Sequence, residues 1–151
     1  ELTRQNLERY RVDAQLHACR IQDYKDKPFD IIACNPPYFS TTNQNLMNVN
    51  QYKRVGRHED NLPLSELFTA VKRLLKSNGS FYLVHRASRY NELYQYASKV
   101  GMLPVKVTFA YDHVGGVAKT VLIEFQFATA HECMIEAPVY LDDRSTFPTI
   151  E

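Results

Sequence analysis

The sequence is poor in glycine and cysteine and has no tryptophan. Only five of its 151 residues are glycines, and the first is Gly56, so the first third of the chain holds no glycine-rich cofactor loop. Three cysteines, Cys19, Cys34 and Cys133, form neither a disulfide framework nor a C-x-x-C metal pair, which favours a reducing compartment. No apolar run approaches the roughly 20 residues of a membrane span, and no basic-then-apolar leader opens the chain. We therefore expect a cytoplasmic protein without a membrane contact.

The composition is that of a globular domain. Hydrophobic residues make up 44% of the chain and charged residues 23%, which excludes a disordered tail or a coiled coil. The length fits one domain over residues 1–151 with a core of its own. The net charge of +1 is uneven, because residues 1–130 carry +5 and residues 131–151 form an acidic tail of −4. The basic surplus fits a nucleic-acid partner and equally an ordinary solvated surface.

The order of strands and helices predicts an α/β fold. Short apolar or alternating runs predict strands at residues 16–21, 29–34, 80–84, 105–111 and 120–127, with one more possible at 137–141. The last two long strands are joined near Gly115-Gly116 as an antiparallel pair. Strands that alternate with helices predict a mostly parallel sheet covered on both faces, with one antiparallel member.

Three helices are predicted between these strands. A loose helical pattern runs from Leu2 to Val12. The second helix begins at Pro63 and stops at Asn78-Gly79, and the third begins with Ser88 as N-cap and ends at Gly101. Ligands of such sheets bind beyond the carboxyl ends of the strands. Asp23 and Asn35 follow two predicted strands and are therefore the first candidates.

The motif Asn35-Pro36-Pro37-Tyr38 follows the most apolar strand. Its prolines fix an extended, rigid turn, the Asn35 side chain offers an acceptor and a donor, and Tyr38 offers an aromatic face. An adenine amino group stacked there donates its two N–H bonds to the Asn35 side chain and the Pro36 carbonyl. Such acceptors favour a tetrahedral nitrogen whose lone pair attacks an electrophile. The alternative is a motif that only ends a strand and starts a loop.

This motif resembles motif IV of class I S-adenosylmethionine-dependent methyltransferases that act on exocyclic or amide nitrogens. Together with Phe39, Arg57-His58-Glu59, His85-Arg86 and residues 120–124, it resembles the bacterial tRNA(Val) adenine-N6 methyltransferase family. The resemblance extends from the first helix to Pro138-Val139-Tyr140. It implies a Rossmann-like methyltransferase sheet, S-adenosylmethionine as cofactor and RNA, in particular tRNA, as partner. The implied reaction is methylation of adenine N6.

The resemblance also implies a role for individual residues. Asn35, Pro36, Pro37 and Tyr38 are the catalytic candidates, which grip the amine and stack on an unstacked base. Asn35 and Asp23 are the cofactor-binding candidates, and Asp23 corresponds to the acid that contacts the adenine amino group of the cofactor. The substrate-binding candidates lie in the long polar segment 38–61 and beyond the next strand: Phe39, Arg57, His58, His85 and Arg86.

A purely structural or surface role also remains open for several of these residues. Asp23 also fits a solvated acid at a strand end, and Arg57-His58 a solvated basic loop. His85 also fits a packed histidine, with Arg86 on the surface. The five histidines show no ligand spacing, so we expect no metal.

The sequence departs from the family at its start. Family members begin with a strand, a glycine-rich turn and a second strand ending in a ribose-binding acid, and residues 1–7 resemble the helix that follows these. We therefore expect a partial domain that lacks the first strands and whose partners include the missing N-terminal half. Three alternatives remain: methylation of a release-factor glutamine, methylation of a ribosomal RNA guanine, or a non-catalytic RNA-binding remnant.

Overall fold

The computed structural model describes residues 2–36, 62–128 and 132–147. Short 3-10 turns at Ala87–Arg89 and Arg144–Thr146 accompany the regular elements. In chain order the helices and strands are α1 (Leu2–Arg9), β1 (Phe29–Cys34), α2 (Leu64–Leu74), β2 (Leu75–Arg86), α3 (Tyr90–Lys99), β3 (Met102–Tyr111), β4 (Thr120–Phe127), β5 (Met134–Ile135) and β6 (Val139–Tyr140).

The strands form one mixed sheet in the order β1-β2-β4-β3-β5, and β6 also pairs with β3. β1 and β2 are parallel, whereas β4 is antiparallel to both of its neighbours. β5 and β6 run parallel to β3. Within the described residues β4 is thus the only reversed strand, which confirms the predicted α/β sheet with an antiparallel C-terminal hairpin.

The core lies between the sheet and the two longer helices. Alternate residues of β2 and β4 point toward α2 and α3, and the ring of Phe68 meets the rings of Phe81 and Phe125 edge-on at 5.7 and 5.4 Å. Edge-to-face pairs of this kind contribute about 0.5–1.5 kcal/mol beyond their burial. Leu93 and Ala97 of α3 complete the same cluster. The helices therefore hold β2 and β4 rigidly at the centre of the sheet.

The opposite face bears no helix within the described residues, contrary to the predicted cover on both faces. The short strands β5 and β6 extend the sheet beside β3, and Leu141 and Phe147 border this face there, while Ile31, Tyr82 and Leu122 remain 63%, 41% and 41% exposed. The reason is topological. The crossovers β1-α2-β2 and β2-α3-β3 step across the sheet in the same direction, and right-handed crossovers of that kind place both helices on one face. We call this uncovered side the open face.

The predicted strand at residues 16–21 is wrong. These residues are irregular, and a turn follows in which the N–H groups of Asp23 and Tyr24 donate to the Arg20 carbonyl at 3.0 and 3.1 Å. A strand needs a ladder partner, and β1 pairs only with β2 among the described strands. Asp23 therefore lies in an exposed turn and not at a strand end.

Two predicted helix boundaries also differ. α2 ends at Leu74 and β2 begins at once, so Gly79 lies in a strand and does not cap a helix. α3 begins after a 3-10 turn without a side-chain cap at its N-terminus, so Ser88 is not its N-cap. Gly101, with φ of +83°, follows α3 as predicted. No helix of the described part of the chain is long and apolar enough to cross a membrane.

Candidate active site

Asn35 and Pro36 continue the alternation of β1 past its last residue. Ile32 and Cys34 pack against the core, whereas Ile31 and Ala33 are exposed on the open face. Asn35 is exposed and Pro36 is buried. The first two residues of the motif thus point in opposite directions, and the asparagine lies on the solvent side at the carboxyl end of β1. The other two catalytic candidates of the motif, Pro37 and Tyr38, lie outside the described residues.

The carboxyl end of β2 carries the next two candidates. His85 is 1% exposed, and its Nδ1 accepts the backbone N–H of Arg86 at 2.9 Å. An accepting Nδ1 places the proton of a neutral imidazole on Nε2. Arg86 is half-buried and shares the parity of Tyr82 and Val84, the open-face residues of β2. His85 therefore matches the packed-histidine interpretation, and Arg86 is the residue of this pair on the open face.

The two strand ends meet at one edge of the sheet. β1 and β2 are parallel and their mutual pairing ends with Cys34 opposite Leu83, so Asn35 and Arg86 both lie beyond the last β1–β2 pair. By the alternation of side chains along each strand, both residues lie on the open face, while Pro36 and His85 lie on the core side. Strands rise about 3.3 Å per residue, so the amide and the guanidinium are within reach of one bound nucleotide.

The edge is fixed from its other side by β4. His85 and Arg86 pair with Val121 and Thr120, and the N–H of Ala87 donates to the Lys119 carbonyl at 3.0 Å. The segment 120–124, which contributed to the family resemblance, is thus the strand that holds the end of β2. Its contribution to the site is positional.

An ion pair anchors the helix that follows this edge. The guanidinium of Arg89 donates from Nε and Nη2 to the two carboxylate oxygens of Glu92 at 2.8 and 2.7 Å. These hydrogen bonds, together with the positive charge of Arg89, lower the pKa of Glu92 below its ordinary value. The pair lies in the first turn of α3, where no side chain caps the helix, and the i, i+3 spacing of an arginine and a glutamate is its sequence signal.

Asp23 lies in the exposed turn of residues 20–24, which is fastened to α2. Gln22 Nε2 donates to Glu66 Oε2 at 2.6 Å. The guanidinium of Arg73 donates to backbone carbonyls of the turn, one of them Tyr24 O at 2.5 Å. No local pattern in the sequence reveals these contacts, because the partners are separated by 44 and 49 residues.

Cys34 borders the site without chemistry of its own. Burial raises the pKa of its thiol to about 11, so it stays protonated at neutral pH. The substrate-binding candidates Phe39, Arg57 and His58 lie outside the described residues. Among the residues that the structure describes, no group of three or more His, Cys, Asp or Glu side chains is placed to hold a metal ion.

Comparison with known proteins gives this edge a context. No protein-family model matches the chain. The chain is 33% identical over 110 residues to the tRNA1(Val) (adenine(37)-N6)-methyltransferase of Cytophaga hutchinsonii. This alignment covers 71% of this chain and 45% of the relative. The protein of the same name from Bacteroides fragilis is 32% identical over 99 residues, 66% of this chain and 40% of its own length. The chain thus spans less than half the length of these curated relatives.

Solved structures agree on the fold. A predicted O-methyltransferase from Agrobacterium tumefaciens superposes with a TM-score of 0.53 at 15% identity, over 76% of this chain and 44% of that protein. The resemblance to the bacterial tRNA1(Val) adenine-N6 methyltransferases is confirmed over the aligned residues. The chain is a methyltransferase relative with the sheet of the class I methyltransferase fold.

Proposed function

We propose that the protein carrying this sequence transfers a methyl group from S-adenosylmethionine to N6 of an adenine in tRNA. The observation that carries the proposal is Asn35, which is exposed at the carboxyl end of β1 beside a buried Pro36. An exposed amide at the end of a strand supplies an acceptor for an amine that arrives from solvent. The sequence similarity to tRNA methyltransferases supports adenine in tRNA as the acceptor.

The candidate residues at this edge of the sheet have different proposed roles. Asn35 Oδ1 and the Pro36 carbonyl accept the two N–H bonds of the target amine, which leaves the nitrogen lone pair free to attack. Tyr38 and Phe39 provide stacking surface for the flipped base. Arg86, on the same face as Asn35, pairs with a phosphate of the RNA. Arg57 and His58 belong to the same substrate-binding set.

The acceptor chemistry of the candidate residues fits the cofactor. The exposed Asp23 carboxylate matches the amino group of an adenine ring, and the Asn35 amide oxygen matches an ammonium or amine. Bound S-adenosylmethionine supplies an electrophilic methyl group on a sulfonium. Asp23 and Asn35 hold and orient the cofactor, and neither residue acts as a strong base. Because tRNA is the substrate, the proposed location is the cytoplasm.

The open face has a proposed partner of its own. Ile31, Tyr82 and Leu122 are large apolar side chains with 41% or more of their surface exposed. Their burial is favourable by about 25 cal/mol for each Å² of apolar surface. We propose that further polypeptide of the same methyltransferase covers this face, as the greater length of the curated relatives supports.

Nucleoside analysis tests the acceptor. The gene is deleted, tRNA is purified and digested, and N6-methyladenosine is measured by mass spectrometry before and after complementation. We expect the modified nucleoside to disappear from one tRNA and to return with the wild-type gene but not with Asn35→Ala. Unchanged tRNA with a loss of methyl from a release-factor glutamine or a ribosomal RNA guanine refutes adenine in tRNA as the acceptor.

A second assay tests catalysis itself. The purified protein is incubated with unmodified tRNA and methyl-labelled S-adenosylmethionine, and RNA binding is measured in parallel at several salt concentrations. Incorporated label supports the proposal. Salt-dependent RNA binding without incorporation of label assigns the protein to non-catalytic RNA-binding proteins.

A further inference from the structure

The turn that carries Asp23 is one helical turn. The N–H of Tyr24 donates to the Arg20 carbonyl four residues earlier at 3.1 Å, the pattern of an α-helix that is not continued. The carbonyls that follow in such a turn have no partner within it. They need a donor from elsewhere in the protein.

Arg73 supplies that donor. Its Nη1 donates to the carbonyl of Tyr24 at 2.5 Å, and its Nη2 to the carbonyls of Ile21 and Gln22 at 3.1 and 3.3 Å. One guanidinium therefore satisfies three carbonyls of the turn. The planar fork of an arginine fits this geometry, whereas the ammonium of a lysine acts as a point donor.

The turn contacts a single stripe of α2. Glu66 and Arg73 are seven residues apart, about two helical turns, and so lie on one face of the helix. Between them Thr69 and Ala70 line the crevice under Gln22 and are small enough for close approach. The turn is thus seated on α2 at two points, by Gln22–Glu66 and by Arg73.

One end of this seat faces the candidate site. α2 runs directly into the start of β2, so its first turn, which holds Glu66, lies at the edge of the sheet where β1 ends. β1 ends in Cys34, and Asn35 follows. The contact of Gln22 with Glu66 therefore joins the turn to the end of α2 that faces this edge, while Arg73 and the ring of Phe29, which stacks on Tyr24 at 6.3 Å, hold the turn toward the amino end of β1.

We propose that Arg73 is a positioning residue, which holds the turn of residues 20–24 so that Asp23 presents its carboxylate to the cofactor. The inference rests on the proposed function, because it assigns to Asp23 a contact with S-adenosylmethionine. Arg73 itself is directed at the backbone of the turn and contacts neither cofactor nor substrate. Its removal affects cofactor affinity and leaves the methyl-transfer step intact.

Three variants of the whole protein test this: Arg73→Ala, Arg73→Lys and the control Lys72→Ala, which removes a neighbouring exposed charge of the same sign. Amide hydrogen exchange of Asp23 and Tyr24 reports on the turn without any cofactor. We expect exchange to accelerate about tenfold in Arg73→Ala, less in Arg73→Lys, and not at all in Lys72→Ala.

Cofactor titration and steady-state kinetics report on the site. We expect Arg73→Ala to weaken S-adenosylmethionine binding and to raise its KM by about five- to twentyfold, with kcat at saturating cofactor changed less than about twofold. Arg73→Lys recovers part of the affinity. Asp23→Ala loses affinity to a similar extent, and combining it with Arg73→Ala adds little, because both act through one contact.

Each contrary result has its own meaning. Unchanged exchange at Asp23 and Tyr24 refutes the anchoring role. Accelerated exchange with unchanged cofactor affinity refutes the positioning role and leaves Arg73 as a structural residue. Wild-type protein that binds no S-adenosylmethionine refutes the proposed function and the cofactor role of Arg73 together, while the exchange experiment still decides whether Arg73 anchors the turn.

Discussion

Asn35 and Arg86 continue the same side of two neighbouring parallel strands, beyond the last β1–β2 pair, Cys34 and Leu83. The pairing of β1 with β2 and the alternation of each strand place both side chains on the open face. Their backbone neighbours Pro36 and His85 are buried on the other side. A planar amide and a guanidinium on one face suit a nucleotide, because the amide binds a base amine and the guanidinium a phosphate.

We predict that Asn35→Ala abolishes most methyl transfer and preserves cofactor affinity. The substitution removes an acceptor aimed at the reacting amine, and loss of one such group costs roughly 10²–10³ in kcat. Label incorporation into tRNA measures the rate, and calorimetric titration with S-adenosylmethionine measures affinity. Asn78→Ala, at an exposed asparagine near the amino end of β2, is the control and keeps full activity. Lost affinity with normal turnover contradicts the role of Asn35.

Arg86→Ala is expected to weaken RNA binding through one phosphate contact. The slope of log affinity against log salt concentration falls by about one, and the KM for tRNA rises while cofactor affinity is kept. Filter binding at several salt concentrations measures the slope. Arg86→Lys keeps a positive charge at the site, and we expect it to retain most of the RNA affinity and of the salt slope. An unchanged salt slope in Arg86→Ala removes this residue from the RNA interface.

A side chain at Gly79 has no room. An added Cβ lies 2.8 Å from the backbone oxygen of Asp30 and 2.8 Å from Cδ1 of Leu75. The crowding occurs where the register between β1 and β2 shifts, between Phe29 and Ile31. We predict that Gly79→Ala lowers the free energy of unfolding by about 1–3 kcal/mol. Urea unfolding measures it, with the exposed Ser77→Ala of the same strand as control. Equal stability of the two variants shows that the strands can separate without cost.

Gly79 also shows why some boundaries escape prediction. Asn-Gly after an amphipathic run is a good helix stop in local terms, and here the helix ends four residues earlier because Leu75 is already paired with Phe29. Tertiary pairing decided the boundary. The same holds for residues 16–21, whose alternating pattern finds no partner strand among the described residues. In contrast, β4 occupies residues 120–127 as predicted, since its β-branched pattern and its neighbours agree.

The features of the candidate site likewise fall into those set by local sequence and those set by contacts distant in sequence. The position of Asn35 at a strand end follows from an apolar run and two prolines, which are local features. The burial of His85 depends on which face of β2 receives α2 and α3, and that depends on the topology of the whole sheet. The role of Arg73 depends on a turn 49 residues away. A contact between a side chain and a backbone carbonyl far away in the sequence does not require a particular residue type at the second position. Such a contact therefore cannot be predicted from the sequence.

Glu92 gives the protein a pH-dependent contribution to stability. Its pKa is lowered by the hydrogen bonds from Arg89, so the folded state holds the proton less tightly than the unfolded state. The contribution is therefore complete above the ordinary pKa of about 4.5 and is lost as the pH falls through the lower, folded value. Because the Glu92 side chain is 41% exposed, its size is below about 1 kcal/mol.

We predict that Glu92→Gln lowers the free energy of unfolding more at pH 7 than at about pH 3, because the stabilisation by the carboxylate is lost as the pH falls below the ordinary pKa of about 4.5 and through the lower, folded value. Urea unfolding at the two pH values measures the difference. The partner variant Arg89→Ala and the double variant close a thermodynamic cycle, and the coupling between the two residues is smaller at the lower pH. Coupling of equal size at both pH values contradicts an ionic origin.

Cys34 is predicted to resist alkylation. Burial raises the pKa of its thiol to about 11, and at pH 8 the reactive thiolate is then about one part in a thousand. Cys19 is exposed and serves as the internal standard within the same molecule. We expect iodoacetamide to modify Cys19 at least about tenfold faster than Cys34 in the folded protein, and both at similar rates in urea. Peptide mass spectrometry over a time course measures both sites. Equal rates in the folded protein mean that β1 separates from the core on the timescale of labelling, and they contradict the packed position of Cys34 behind Asn35.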